Sequence, residues 1–137
     1  MVFDTSQYTP KKWMNRNKIL NISKEWQYIT VPLSNSSINI NTFEAKILSL
    51  DNTFSEHLDK LKVYKGKDPH YKNVIKLFED SFCKTASDYL VDLNISSLKN
   101  VCDYLDIEFH FVRASKLDIK YPDNLKPDDG LCSSASI

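Results

Sequence analysis

Apolar positions along the chain change period several times, and each change marks a candidate element. Residues 26–33, WQYITVPL, crowd aromatic and β-branched side chains and stop at Pro32-Leu33, which predicts a strand. The run from Ser37 to Leu48 alternates Ile38 and Ile40, then Phe43, Ala45 and Ile47, and predicts a second strand or a strand with an irregular turn. Thr53 with Glu56 three residues later has the form of a capping box, after which Phe54, Leu58, Leu61 and Tyr64 recur at helical spacing. Lys65-Gly66-Lys67-Asp68-Pro69 breaks that helix. Val74, Ile75, Phe78 and Phe82 mark a second helix over 72–84, and Leu90, Asn94, Leu98, Val101 and Leu105 the face of a third over 88–106. Alternation returns at EFHFV, Glu108 to Val112, as a strand. The order predicts an α/β fold: a partial Rossmann-like layered domain with about three helices and a small sheet shared by 26–33 and 108–113.

The two ends change that picture. The chain opens on VFDTSQY, which has the look of the end of a strand, and closes on DDGLCSSASI, a small polar tail without a covering helix. The expectation is an incomplete domain over 1–117 followed by an acidic, poorly structured tail over 118–137. An incomplete sheet exposes edge and apolar helix faces, so self-association is expected as well.

Composition fits this scale. With 137 residues, 42% hydrophobic and 26% charged, the chain suits one globular domain able to bury a core without disulfides or metal. Eighteen basic and eighteen acidic side chains produce no overall field for nucleic acid or an acidic membrane. Cys83, Cys102 and Cys132 are sparse and form no CxxC pair, which suits reduced thiols in the cytoplasm. No apolar run approaches the roughly 20 residues that span a bilayer, and the N-terminus has no signal-peptide core, so no integral membrane segment is expected. Gly66 and Gly130 are the only glycines, which excludes glycine-rich phosphate loops. Any bound phosphate must be held by cationic side chains or helix N-termini.

That requirement draws attention to residues 11–20, KKWMNRNKIL, where four cations, two asparagines and a tryptophan cluster in a chain of zero net charge. One reading is a solvated face with one buried aromatic. The other is an anion site: Arg16 offers a planar fork for phosphate or carboxylate, and Asn15 and Asn17 offer donors and acceptors for hydroxyls. A nucleic-acid arm fits less well, because the cations do not continue and no nucleic-acid motif accompanies them. His57, His70 and His110 lack metal-ligand spacing, so no metal site is expected, and no cofactor is indicated. His70 follows Pro69 at a helix start and could donate to a ligand, while His110 reads as structural in its strand. Asn94 sits on the apolar face of its helix, where an unpaired amide costs about 1–3 kcal/mol; it either caps a neighbouring segment or lines a cleft. Arg113 ends a strand, where open α/β sheets carry ligand-binding loops.

Several blocks together resemble one family. DTSQYTPKKWMNRNKI resembles a D-x-x-Q-[YF]-x-x-x-x-W-x-N-R-N-[KR]-I segment, WQYITVP a W-x-x-[LI]-T-V-P strand, and DLNISSLKNVCDYLDI and FHFVRASKL a D-L-N helix and an F-V-[RS]-[SA]-S-x-L strand end. These are features of the WbqC-like family, bacterial proteins associated with O-antigen and other surface-polysaccharide gene sets. The resemblance runs from Phe3 to Leu117. Its members usually begin with a further strand and a His-Gln-Pro segment and continue beyond this chain's last residues, so the resemblance implies an incomplete member. It also implies that Asp4, Gln7, Tyr8, Trp13, Asn15, Arg16 and Asn17 form a substrate surface, closed by Arg113 and Ser115. Such a surface suits a nucleotide-sugar or sugar-phosphate partner. The leading expectation is a transferase acting on an activated sugar, with Asp4 and, more distantly, His70 as acid/base candidates. The alternative is a non-catalytic binding partner in the same pathway, or an inactive fragment.

Overall fold

The computed structural model describes residues 2–3 as backbone, and 8–10, 12–23, 25–35, 40–85 and 87–117. Strands β1 (Val2–Phe3), β2 (Arg16–Leu20) and β3 (Trp26–Thr30) precede helices α1 (Leu50–Leu61), α2 (Tyr71–Cys83) and α3 (Leu90–Tyr104), and β4 (Val112–Arg113) follows. The α/β class and the three helices agree with the sequence pattern. Strand Val2–Phe3 also agrees with the reading of the opening residues.

The strands pair differently from expectation. β2 and β3 form an antiparallel hairpin, with Arg16 opposite Thr30 and Lys18 opposite Tyr28. β4 instead pairs in parallel with β1, so 26–33 and 108–113 lie in separate two-stranded sheets. The segment RNKIL was read as a charge cluster, yet it needs only a short turn to meet WQYIT. Asn21 closes that turn, with its N–H donating to the Glu25 carbonyl at 2.8 Å and its Oδ1 accepting from the Glu25 N–H at 3.0 Å. The expected strand over 108–112 shrinks to β4: α3 ends at Tyr104, Asp106 adopts φ 56°, and the chain runs irregularly until Val112. Exposed His110 pairs with Glu108 at 2.8 Å rather than standing in a strand. Within 37–48, residues Thr42–Glu44 form a 3-10 turn and Ile47 and Lys46 make isolated bridges to Leu33 and Tyr89; residues 36–39 lie outside the described residues.

Two helix readings are also corrected. α1 begins one turn early, because Ser49 is its cap and accepts from the Asn52 N–H at 3.3 Å. Thr53 is then interior and buried, and its hydroxyl donates back to the Ser49 carbonyl at 2.6 Å. On α3 the buried positions are Leu90, Val91, Leu93, Ile95 and Asn100, whereas Leu98, Val101 and Leu105 are exposed. The reason is that α3 meets α2 through polar side chains. Asn100 donates to the Ser81 hydroxyl at 3.1 Å, Ser96 donates to the Ser81 carbonyl at 2.9 Å, and Lys84 donates to the Asn100 Oδ1 at 3.3 Å. A helix seam built from serine and asparagine leaves no leucine-like period to read.

The core comprises Tyr8, Ala45, Ile47, Leu90 and Leu93, with Met14, Val31, Leu33 and Phe82 packed against it. A second cluster joins α1 to α2, where Phe54 stacks on Phe78 at 5.5 Å and Phe78 meets Phe82 at 4.9 Å. Leu90 is fully enclosed, at 0% exposure, and its N–H donates to the Ala45 carbonyl at 2.9 Å. Leu90→Ala is expected to lower unfolding free energy by about 2–5 kcal/mol, read as an earlier midpoint in urea at an unchanged slope. A loss below about 0.5 kcal/mol contradicts this packing role for Leu90.

Candidate functional site

Four contacts hold the hairpin in place, two of them to α1. His57 Nε2 lies 2.8 Å from the Thr30 carbonyl, and Lys60 donates to the Tyr28 carbonyl at 3.3 Å. Beyond α1, the Tyr64 hydroxyl accepts from the Leu20 N–H at 2.8 Å. The fourth contact binds the two strands to each other: the Val31 N–H donates to the Asn15 carbonyl at 2.8 Å, and the Asn15 amide donates to the Val31 carbonyl at 2.9 Å. From α3, Asn94 donates its amide N–H to the Met14 carbonyl at 3.1 Å. Asn94 therefore both caps a neighbouring segment and faces a cleft, the two roles left open by the sequence.

That cleft has a volume of about 360 Å³, and the hairpin, α1, α2 and α3 all contribute to its wall. It brings together Trp13, Asn15, Arg16, Asn17 and Asn94 of the residues singled out in the sequence, and adds His57 and Ser97. Trp13 stands at the rim with 72% exposure, so the tryptophan of the cation cluster is not a buried anchor. The Arg16 guanidinium carbon lies 3.5 Å from the centre of the Tyr28 ring, which holds the fork flat against an aromatic face. Arg16 Nε and Asn15 Oδ1 are buried and have no hydrogen-bond partner among the described residues. Such atoms each cost about 1–3 kcal/mol unless a ligand or water meets them. One is a donor on a cation, the other a neutral acceptor. Asn17 is exposed, with its Oδ1 accepting from the Lys18 N–H at 2.8 Å.

Other candidates lie elsewhere. Tyr8 is buried in the core at 2% exposure, and its N–H donates to the Ile40 carbonyl at 2.8 Å. His70 precedes α2 on the surface, its N–H donating to Asp68 at 2.7 Å. Arg113 lies in a separate depression beside Phe111 and Lys116 and forms an ion pair with Asp92, which also accepts from the Ser87 hydroxyl. Ser115 follows β4 in an exposed 3-10 turn. Asp4 and Gln7 lie outside the described residues. Among the described residues, no group of three or more His, Cys, Asp or Glu is arranged to hold a metal.

His57 is the residue that sequence reasoning passed over. It was weighed only for metal spacing, whereas its place between Phe54 and Leu58 on the inward face of α1 was the usable signal. The ring is buried and lies near Phe78 and Phe82, at 6.1 and 6.4 Å. Burial pushes its pKa below the ordinary 6.5, with Lys60 acting in the same direction and the Thr30 carbonyl and Glu56 opposing. Burial would raise Asp92, but hydrogen bonds from Ser87 and Arg113 and the Arg113 charge outweigh it and hold the carboxyl below 3.8.

A model of the WbqC-like protein family matches residues 1–131. The chain belongs to the WbqC-like family. The matched region of this WbqC-like chain includes the whole cleft and runs past Leu117, where the motif resemblance stopped. No curated protein and no solved structure shows a significant match to it. No helix among the described residues is long and apolar enough to cross a membrane.

His57 and Asp92 give the WbqC-like chain separate acid responses. Unfolded, His57 takes up a proton near pH 6.5; folded, it does so only at lower pH. Between those values the unfolded chain binds more protons, so stability falls on acidification. The Asp92 contribution is present above pH 3.8 and is lost only as pH falls through its lower folded value. Melting temperature is expected to drop between pH 7.5 and 5.5, and His57→Gln should flatten that interval. A His57→Gln profile parallel to the parent protein assigns the drop to other groups.

Proposed function

We propose that the cleft binds an activated sugar, a nucleotide-sugar or sugar phosphate, and that the protein is a transferase acting on it in O-antigen or related surface-polysaccharide biosynthesis. The observation that carries this reading is the buried pair of unpartnered atoms, Arg16 Nε and Asn15 Oδ1. A phosphate oxygen satisfies the first and a sugar hydroxyl the second, so one ligand carrying both groups removes both desolvation costs. Trp13 at the rim offers a ring face for a sugar or base, and Asn17 adds further polar capacity. The volume of about 360 Å³ falls within the roughly 300–1,000 Å³ of small-molecule sites. The family match shows the family alone; the pathway and the reaction are part of this proposal. A cytoplasmic location goes with this reading, as the sparse cysteines suggest.

The position of His70 outside the cleft favours a second reading, a non-catalytic protein that holds the sugar intermediate or a pathway enzyme. Turnover separates the two: the transferase releases a nucleoside diphosphate or phosphate, whereas the binding protein returns its ligand unchanged.

Titration with uridine, guanosine and thymidine diphosphate sugars tests the shared requirement. Arg16→Ala is expected to weaken binding about 10- to 100-fold, the equivalent of one charge-assisted hydrogen bond. Arg16→Lys should weaken it nearly as much, because it keeps the charge but loses the fork and its stack on Tyr28. Unchanged affinity in both variants, with melts showing an intact fold, returns residues 11–20 to a solvated surface.

A further inference from the structure

His57 adds chemistry that the proposed ligand has not yet used. Its Nε2 faces the Thr30 carbonyl at 2.8 Å, and a carbonyl oxygen only accepts hydrogen bonds. Nε2 must therefore carry a hydrogen. In the neutral ring the other nitrogen, Nδ1, is then left with a lone pair. The Thr30 contact is the one hydrogen bond that the ring makes among the described residues. His57 is also part of the cleft wall, on α1, whereas Asn15 and Arg16 belong to the hairpin.

The geometry points to His57 Nδ1 as a second hydroxyl-reading acceptor of the cleft, paired with Asn15 Oδ1 to recognise the sugar part of the ligand while Arg16 holds its phosphate. This rests on the activated-sugar reading and assigns its parts. Two fixed acceptors favour a ligand rich in hydroxyl donors. Both are oriented by the fold: the Asn15 amide by the Val31 carbonyl, the imidazole by the Thr30 carbonyl. A rotated amide, or the other tautomer of the ring, would place a lone pair against a carbonyl and lose that bond.

Acceptor character requires a neutral ring. The charges near His57 are Lys60 and Glu56 on its own helix and Arg16 on the hairpin, while α2 offers Phe78 and Phe82 and α3 offers Asn94 and Ser97. Burial and Lys60 keep the ring neutral near pH 7, and Glu56 opposes them. Sugar recognition should therefore weaken in acid, when Nδ1 gains a proton and becomes a donor.

The test compares one diphosphate sugar that binds in the Arg16 titration with its parent nucleoside diphosphate, using the full chain at pH 7.5. His57→Phe is expected to weaken the sugar conjugate about 3- to 10-fold, the worth of one neutral hydrogen bond, and to leave the parent diphosphate unchanged. His57→Gln, with one amide donor for Thr30 and one oxygen acceptor, should restore much of the loss. In the parent protein, affinity for the sugar conjugate should fall by that same factor of about 3 to 10 as pH drops through the ring's pKa and then level off, and the Gln variant should lack this fall. Long-range proton–nitrogen NMR of the free protein should show the Nε2–H tautomer of His57. An Nδ1–H tautomer, or equal weakening of both ligands by His57→Phe, overturns this assignment and leaves the activated-sugar reading standing. Insensitivity of both ligands to Arg16→Ala overturns the activated-sugar reading and the His57 role with it.

Discussion

The carbonyl of Val31 orients the Asn15 side chain, and much of the cleft follows from that. An asparagine amide presents a donor end and an acceptor end that are nearly the same shape, so its direction is set by its neighbours. Here the neighbour can only accept. Once the Asn15 Nδ2 donates to Val31, its Oδ1 must point the other way, into a buried position without a partner among the described residues. The main-chain bond from the Val31 N–H to the Asn15 carbonyl prevents the loop from turning to relieve it. Arg16 comes next in sequence and inherits this fixed starting point. Its guanidinium lies over Tyr28, and its Nε is also left unmatched. The same bonds that close the hairpin thus fix the positions of two buried polar atoms.

The surrounding elements supply rigidity more than chemistry. Asn94 from α3 holds Met14, His57 from α1 holds Thr30, and the Phe54, Phe78 and Phe82 cluster ties α1 to α2. Each bond is modest alone, about 0.5–1.5 kcal/mol net for a neutral hydrogen bond. Their value lies in acting on one short segment from three directions, which limits how the cleft can relax when empty. The Asp92–Arg113 pair does comparable work on the far side of α3, joining that helix to β4. Arg113 is thereby committed to a carboxylate, which leaves Arg16 as the cation lining the cleft.

Much of the secondary structure was legible because its signals are local. Phe54 and Leu58, and Phe78 and Phe82, repeat at helical spacing, and WQYIT carries the aromatic and β-branched character of a strand. Pairing was less legible, since charge in RNKIL hid a strand whose stability comes from adjacency to its partner. The inward face of α3 was missed because Ser96 and Asn100, bonded to Ser81, replace the apolar contacts that periodicity detects. In the site, the N-R-N segment was visible as a concentration of donors and amides. Tyr8 looked similar in the motif but packs in the core, a distinction set by tertiary contact with Ala45 and Leu90. His57 needed a different question: why a histidine interrupts an apolar helix face.

The pairing of β1 with β4 has a consequence for the order of events during synthesis. Val2 and Phe3 are made well before their partners Val112 and Arg113, with the hairpin and all three helices in between. The β2–β3 hairpin can form soon after its turn leaves the ribosome, and contacts among the helices can follow as each one emerges. The first strand has to wait through all of this with its backbone donors and acceptors turned towards water or towards other chains. A nascent molecule stalled before Val112 would therefore hold the hairpin and every described residue of the cleft wall, but leave Val2 and Phe3 without their strand partners. Translation speed through α3 sets how long that strand stays available for misassembly.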